Sequence, residues 1–349
     1  MNLAWDWGTA YDLFMSLEIL HEPAKFGLRG AWAAGMRARL PPDAREMLEQ
    51  AHEFVKIPLH WVYALPEPED GATALWALAQ VPPADRLAAL TLSPCEAVEV
   101  VEILQGVAAR RAWDEGDREA LRAARTCEEG APSPKVLDDI LAWWTRPEEF
   151  GERYREALEA YQEVFFAREE KRIRPALQEA LAQAKELAGR LELVDLVEEL
   201  SQGVRLAELP QVAELVLVPS YWITPLIMYG EIDAERLAWL FGARPPDASL
   251  VPGDPVPDAL LRAVKALSDP TRLRILRYLS EEPLMPSELA RRLRLRAPTV
   301  THHLKILRLA GLVQMTLEKD KEKGHYATRS EAVAAACASM QGFLLTAEE

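Results

Sequence analysis

The segment that most limits this chain is Arg244-Pro-Pro-Asp-Ala-Ser-Leu-Val-Pro-Gly-Asp-Pro-Val-Pro257, which holds five prolines in fourteen residues. A proline ring removes an amide donor and clashes with the preceding helical turn, so neither a helix nor a central strand can run through such a stretch. Residues 244–257 therefore read as a linker, with one domain before it (1–243) and a smaller one after it (258–330). A last helix, 331–349, follows. The length of 349 residues agrees with more than one domain, and an apolar content of 49 % is enough for a sizeable core.

Charge is distributed unevenly about the linker. The whole chain carries net −15, which taken alone argues against a nucleic-acid partner. Residues 258–330, however, hold 15 basic and 8 acidic side chains, net +7, whereas residues 1–257 hold 25 and 44, net −19. The acidic sum thus conceals a basic module. No apolar run is long enough to span a membrane. The start, MNLAWDWGTAYD, lacks the basic and apolar regions of a signal peptide. Cys95, Cys127 and Cys337 stand far apart, which fits a reducing cytoplasm and neither a disulfide frame nor a zinc site. Arginine outnumbers lysine 30 to 10 and asparagine occurs once, a bias expected of a bacterial source, the loss of amides being a feature of thermophiles as well.

The first two hundred residues read as helices. Leu13, Leu17 and Leu20 form one stripe. Ser93-Pro94-Cys95-Glu96 has the form of a capping box opening a helix, and Ser133-Pro134 opens another. From Pro147 to about Leu191 the pattern predicts one long helix kinked at Pro175, or two helices broken there. After Gly203 the period shortens. The apolar runs 215–218, 225–229 and 237–241 predict three short strands. The fold class is thus mainly α with small β elements.

Beyond the linker, apolar residues recur at helical spacing in 258–267, 270–279, 286–293 and 298–309. The last two segments are joined only by Arg294–Ala297, the spacing of a helix-turn-helix. In the final helix Val300, His303, Leu304 and Leu307 share one face, and Thr299, Thr301, His302 and Lys305 lie elsewhere. Residues 312–317 and 325–328, flanking the charged turn 318–324, predict a hairpin wing.

The segments ALSDPTRLRILRYL (266–279), SELARRL (287–293) and TVTHHLKILRLAGLV (299–313) resemble the winged-helix domain of the ArsR/SmtB regulators. The resemblance implies a dimeric bacterial transcription factor, usually a repressor released by an effector. Its fourth helix would enter the major groove, its wing would meet the DNA backbone, and its first and last helices would form the dimer interface. Thr299, Thr301, His302 and Lys305 then fall at groove-facing positions. Arg294, Arg296 and Arg308, with Lys319, Lys321, Lys323 and His325 of the wing, are candidates for DNA contact, and Arg291 and Arg292 for phosphate positioning. Metal-sensing members carry paired cysteines where this chain has Leu284-Met285-Pro286-Ser287, and residues 332–342 contain no histidine, so no metal or other cofactor is expected. Arg294 stands where glycine is common in the turn, and Arg296 where serine commonly caps the helix.

Residues 15–41 and 214–222 resemble, more weakly, the long N-terminal extension of certain ArsR-like regulators. The implied partners are a double-stranded inverted-repeat operator, a second copy of the chain and a small organic effector, with no membrane. All ten tryptophans precede the linker. They either fill a helical core or line an effector pocket, and adjacent Trp143 and Trp144 are not expected to face one core together. Ser220, His52 and His60 stand in no recognisable catalytic pattern, so no enzymatic activity is expected, an N-terminal enzyme or interaction domain being the alternative.

Overall fold

In a computed structural model of the chain, which describes residues 1–28, 30–125, 132–206, 211–248, 256–318 and 321–345 (backbone alone at 206, 317, 318 and 321–323), the apolar runs after Gly203 are strands because helices cover both their faces. The strands are β1 (Asn2–Trp5), β2 (Val204–Leu206), β3 (Glu214–Ser220), β4 (Met228–Glu231), β5 (Arg236–Gly242), β6 (Val313–Glu318) and β7 (Lys321–Thr328). One sheet has the order β1-β3-β5-β4, its first three strands parallel and β4 antiparallel to β5. Val216, Val218, Ala238 and Leu240 face the main helical core, and Leu215, Leu217, Leu237, Trp239 and Phe241 face a second core on the other side. A sheet buried on both faces needs apolar residues at consecutive positions, which is why these strands read as runs rather than alternations.

The main core belongs to α1 (Thr9–His21), α2 (Gly30–Arg37), α3 (Pro42–Ala51), α4 (Leu59–Tyr63), α5 (Gly71–Gln80), α6 (Pro83–Thr91), α7 (Val98–Arg110), α8 (Glu115–Ala124), α9 (Pro134–Trp144) and α10 (Pro147–Tyr161). The second lies under the end of α11 (Ala167–Ala188) and α12 (Leu193–Leu200). The N-terminal tetrapeptide, expected to be helical with its surroundings, is instead strand β1, paired in parallel with β3. The middle strand expected at 225–229 begins only at Met228.

Three further expectations change. The helix anticipated from Ser93 begins at Val98. The Ser93 hydroxyl accepts from Cys95 N at 3.3 Å and its carbonyl from Glu96 N at 3.0 Å, so the residue closes a local turn instead of capping. Ser133 does cap α9, accepting from Val136 N. The long helix is irregular at Gln162–Phe166, a π turn between α10 and α11, and stays helical through Pro175, since one missing amide removes a single ladder bond. Trp143 and Trp144 are both buried, because α9 is enclosed between α7 and α8 on one side and α10 on another.

The third core contains Ala266, Ile275, Leu279, Leu289, Leu293, Val300, Leu304 and Leu307. It joins α13 (Asp258–Leu267), α14 (Pro270–Glu281), α15 (Pro286–Leu293) and α16 (Ala297–Leu309), and α17 (Ser330–Leu345) packs on α13. Asp269 caps α14 through Arg272 N at 2.9 Å, and the Arg272 side chain donates to the carbonyls of Ala266 and Lys265, both at 2.7 Å, binding the end of α13 to α14. β6 and β7 form the hairpin. The returning strand starts at Lys321, earlier than expected, so residues 321–323 lie in the strand and not in a turn. Gly324 permits this, since a Cβ there would lie 1.9 Å from Thr316 O. The hairpin also has a third strand that the sequence did not suggest: β2 pairs in parallel with β6, Val204 opposite Met315 and Leu206 opposite Leu317.

Candidate nucleic-acid interface

α15 ends on Arg294, whose φ of 57° and ψ of 43° are left-handed. This is the turn position at which the arginine was expected in place of glycine. Leu295 N returns to Ala290 O at 2.9 Å, closing the helix end. Arg296 precedes α16 in extended conformation and provides no side-chain cap; its carbonyl accepts from Thr299 N at 3.0 Å and Val300 N at 3.2 Å. Val300, Leu304 and Leu307 bury one side of α16. Thr299, Thr301, His302 and Lys305 are exposed on its remaining surface, with Arg294 and Arg296 exposed at its start. Thr301 Oγ1 donates to Ala297 O at 3.1 Å, which leaves the hydroxyl oxygen and the methyl group outward. His303, by contrast, is half-buried and lies near Asp269 and Arg272. Burial lowers its pKa, and its Nδ1 has no partner among the described residues.

Residues 267–316 match the family model of a helix-turn-helix domain. No curated protein matches the chain. The match spans α14, α15, α16 and the first strand of the hairpin. The helix-turn-helix points to DNA as the partner of this part of the chain and to a role in regulating transcription.

The remaining candidates are placed differently. Lys319 lies outside the described residues; Lys321 and Lys323 are located only as backbone in β7. His325 is half-buried opposite Thr316. Arg291 is exposed; Arg292 donates to Glu282 at 2.6 Å and lies over the Tyr278 ring, so part of its charge is already matched. Arg308 departs from expectation. It is 8 % exposed, and its guanidinium donates to Ser201 O at 3.0 Å and Gln202 O at 3.3 Å. Burial, with Arg329 nearby, pulls its pKa down to about 10. It therefore faces the body of the protein and not solvent, because the end of α16 turns its last helical face toward the loop before β2.

That loop is the feature sequence reasoning missed. Arg329, just past the hairpin, also donates to Gln202 O, at 2.9 Å, and Met315 N donates to Gly203 O at 2.8 Å. The end of α16, the hairpin and residues 201–206 thus form one hydrogen-bonded unit. The only sequence signal was a Gln-Gly pair before a short apolar run, which is too common to interpret.

In the N-terminal part, Ser220 is buried and donates to Asp12 at 2.7 Å, a structural contact within the sheet's end. His60 is bonded to Ala89 O at 3.0 Å, and His52 stacks on His21 at 4.6 Å. A cleft of about 510 Å³ lies near His60, Phe54 and Tyr229, and no tryptophan lines it. Among the described residues no helix is long and apolar enough to cross a membrane.

Proposed function

We propose that this chain is a sequence-specific transcriptional regulator of the ArsR kind, a dimeric repressor in the bacterial cytoplasm that acts by binding and not by catalysis. The observation that carries the reading is the outward row Thr299, Thr301, His302 and Lys305 on a helix whose other face is buried. These side chains suit base edges in a major groove, and Arg294 and Arg296 suit the phosphates beside it. Dimerisation is supported by α17, which exposes Met340, Phe343, Leu344 and Leu345, and by an apolar cavity of about 450 Å³ between α13 and α17. Two copies would place their α16 helices about 34 Å apart on an inverted repeat. Attachment of the hairpin to residues 201–206 supports control by an effector or partner of the N-terminal body, and the Leu284-Met285-Pro286-Ser287 segment favours a non-metal one.

A salt titration of the full chain on its operator duplex tests the reading. Log K should fall linearly with log salt, by about 0.9 per phosphate contact, and a flat line would contradict it. Arg296→Ala should reduce the slope by about 1. Arg308→Ala should leave the slope unchanged and lower the melting temperature instead. Thr301→Ala and His302→Ala should each weaken discrimination between operator and mismatched duplex by about 1–3 kcal/mol.

A further inference from the structure

β4 is the last strand of its sheet, and the hydrogen bonds of the sheet fix which of its backbone groups are spare. Ile232 N donates to Arg236 O at 2.9 Å, and Ala243 N donates to Ser220 O at 2.9 Å. Backbone groups point to alternate sides along a strand, so the even-numbered residues of β5 bond toward β4 and the odd-numbered ones toward β3. Met228 opposite Leu240 and Gly230 opposite Ala238 are then the bonded pairs, and the N–H and C=O of Tyr229 and Glu231 point away from the sheet. A spare edge of this kind is a template for another extended chain.

Tyr229, Gly230 and Glu231 line the cleft of about 510 Å³, a size that takes a small ligand and excludes a folded partner. Gly230 lets α4 sit against the strand, since a Cβ there would lie 2.9 Å from Leu59 Cδ1. Leu59, Ile57 and Leu90 give the cleft apolar surface. His60 adds an acceptor: its Nε2 donates to Ala89 O at 3.0 Å and burial lowers its pKa, so the ring is neutral and Nδ1 keeps its lone pair. Both signs of charge are also present. Glu18, 7 % exposed, faces two ammonium groups, Lys25 Nζ at 3.3 Å and Lys56 Nζ at 3.8 Å, each on an exposed side chain. Arg125 is matched by Glu96 at 3.7 Å. Glu231 brings an exposed carboxylate to the strand edge itself. One cleft therefore holds a pair of ammonium groups sharing one carboxylate, a separate carboxylate, and spare backbone donors and acceptors.

We propose that this cleft binds a short extended peptide with free termini, which adds to the outer edge of β4. The backbone of Tyr229 and Glu231 pairs with the peptide main chain, Lys25 and Lys56 hold its carboxylate, and the Glu231 side chain holds its ammonium group. The apolar surface suits aliphatic side chains. A plain carboxylic acid would meet only part of this set. As a peptide site the proposal stands on the cleft and the strand edge; as the effector site it rests on the regulator reading above.

The test titrates the tripeptide alanyl-leucyl-alanine into the full-length protein without DNA, followed by calorimetry. Binding should saturate at one peptide per chain. Blocking both ends, by N-acetylation and C-amidation, should raise Kd about tenfold or more, as should methylating both peptide nitrogens, through the loss of charge-assisted and main-chain hydrogen bonds respectively. Lys56→Gln should weaken the free peptide about tenfold and leave the C-amide unchanged. Glu231→Gln should weaken the free peptide and leave the N-acetyl form unchanged. Both side chains are exposed, so neither variant disturbs a core. No saturable binding at millimolar peptide overturns the proposal, as does equal binding of the free and doubly blocked forms. Propionate binding as tightly as the peptide also overturns it, marking a plain carboxylate site. A protein that binds the peptide but never binds duplex keeps the site and refutes the regulator reading. One that binds duplex and not the peptide refutes the site alone.

Discussion

Asp12 is a carboxyl with no exposed surface, and burial raises its pKa from 3.8 to about 6 despite three hydrogen bonds that favour the charged form. The folded protein therefore takes up this proton at higher pH than the unfolded chain does. Ionisation costs stability as the pH rises from about 4 to about 6, by an amount on the order of 3 kcal/mol, and the loss is complete above that window. Asp12→Asn should flatten the pH dependence of the melting temperature between pH 4 and 6 whatever it does to the absolute value; an unchanged slope would mean that another group titrates. Residue identity alone did not reveal this. An aspartate one residue before Leu13 in an apolar helix is usually a solvent-facing position, and only the arrival of Ser220, Tyr221 and Trp222 from more than two hundred residues away buries it. Arg308 makes the same point in reverse. Its spacing on α16 is compatible with a phosphate contact, and the carbonyls of Ser201 and Gln202 claim it.

Elements differ in how much of themselves they carry locally. α16 was recognisable because its buried face repeats at helical spacing and its neighbours α14 and α15 do the same. β2 was not, because three residues carry no periodicity and the strand exists through its partner β6. Its entry depends on Gly203, whose φ of 99° lies in the region that favours glycine, with a would-be Cβ 2.7 Å from the Arg329 side chain. Gly203→Ala should cost about 1–2 kcal/mol from the backbone alone, more if Arg329 is displaced. Urea unfolding measures the cost. Amide exchange at Met315 and Leu317 should accelerate in the variant, and protection equal to wild type would show that the hairpin does not depend on β2.

At the scale of the molecule, α17 packs on α13 with one side only: none of its described residues is buried, while Phe343, Leu344 and Leu345 are exposed. Phe343→Asp with Leu344→Asp should leave the monomer folded, convert a dimer to monomers by sedimentation equilibrium at micromolar concentration, and weaken binding to an inverted repeat far more than to a half-site. A wild-type protein that sediments as a monomer would refute the assignment. The charge asymmetry acts at this scale as well. A body of net −19 beside a module of net +7 should repel DNA except at the basic module, and neutralising acidic residues on the N-terminal surface is expected to raise non-specific affinity, measured on a random duplex.

The sequence by itself determined the helix-turn-helix, the polarity of α16 and the segregation of charge. All of these follow from near-neighbour spacing or simple counting, and none depends on a distant part of the chain. Tertiary structure alone decided that Arg308 turns inward, that β2 completes the hairpin and that Asp12 is buried. Each of those is a pairing between segments tens to hundreds of residues apart. Burial and electrostatic environment are properties of what folds against a side chain, and local pattern contains no record of that.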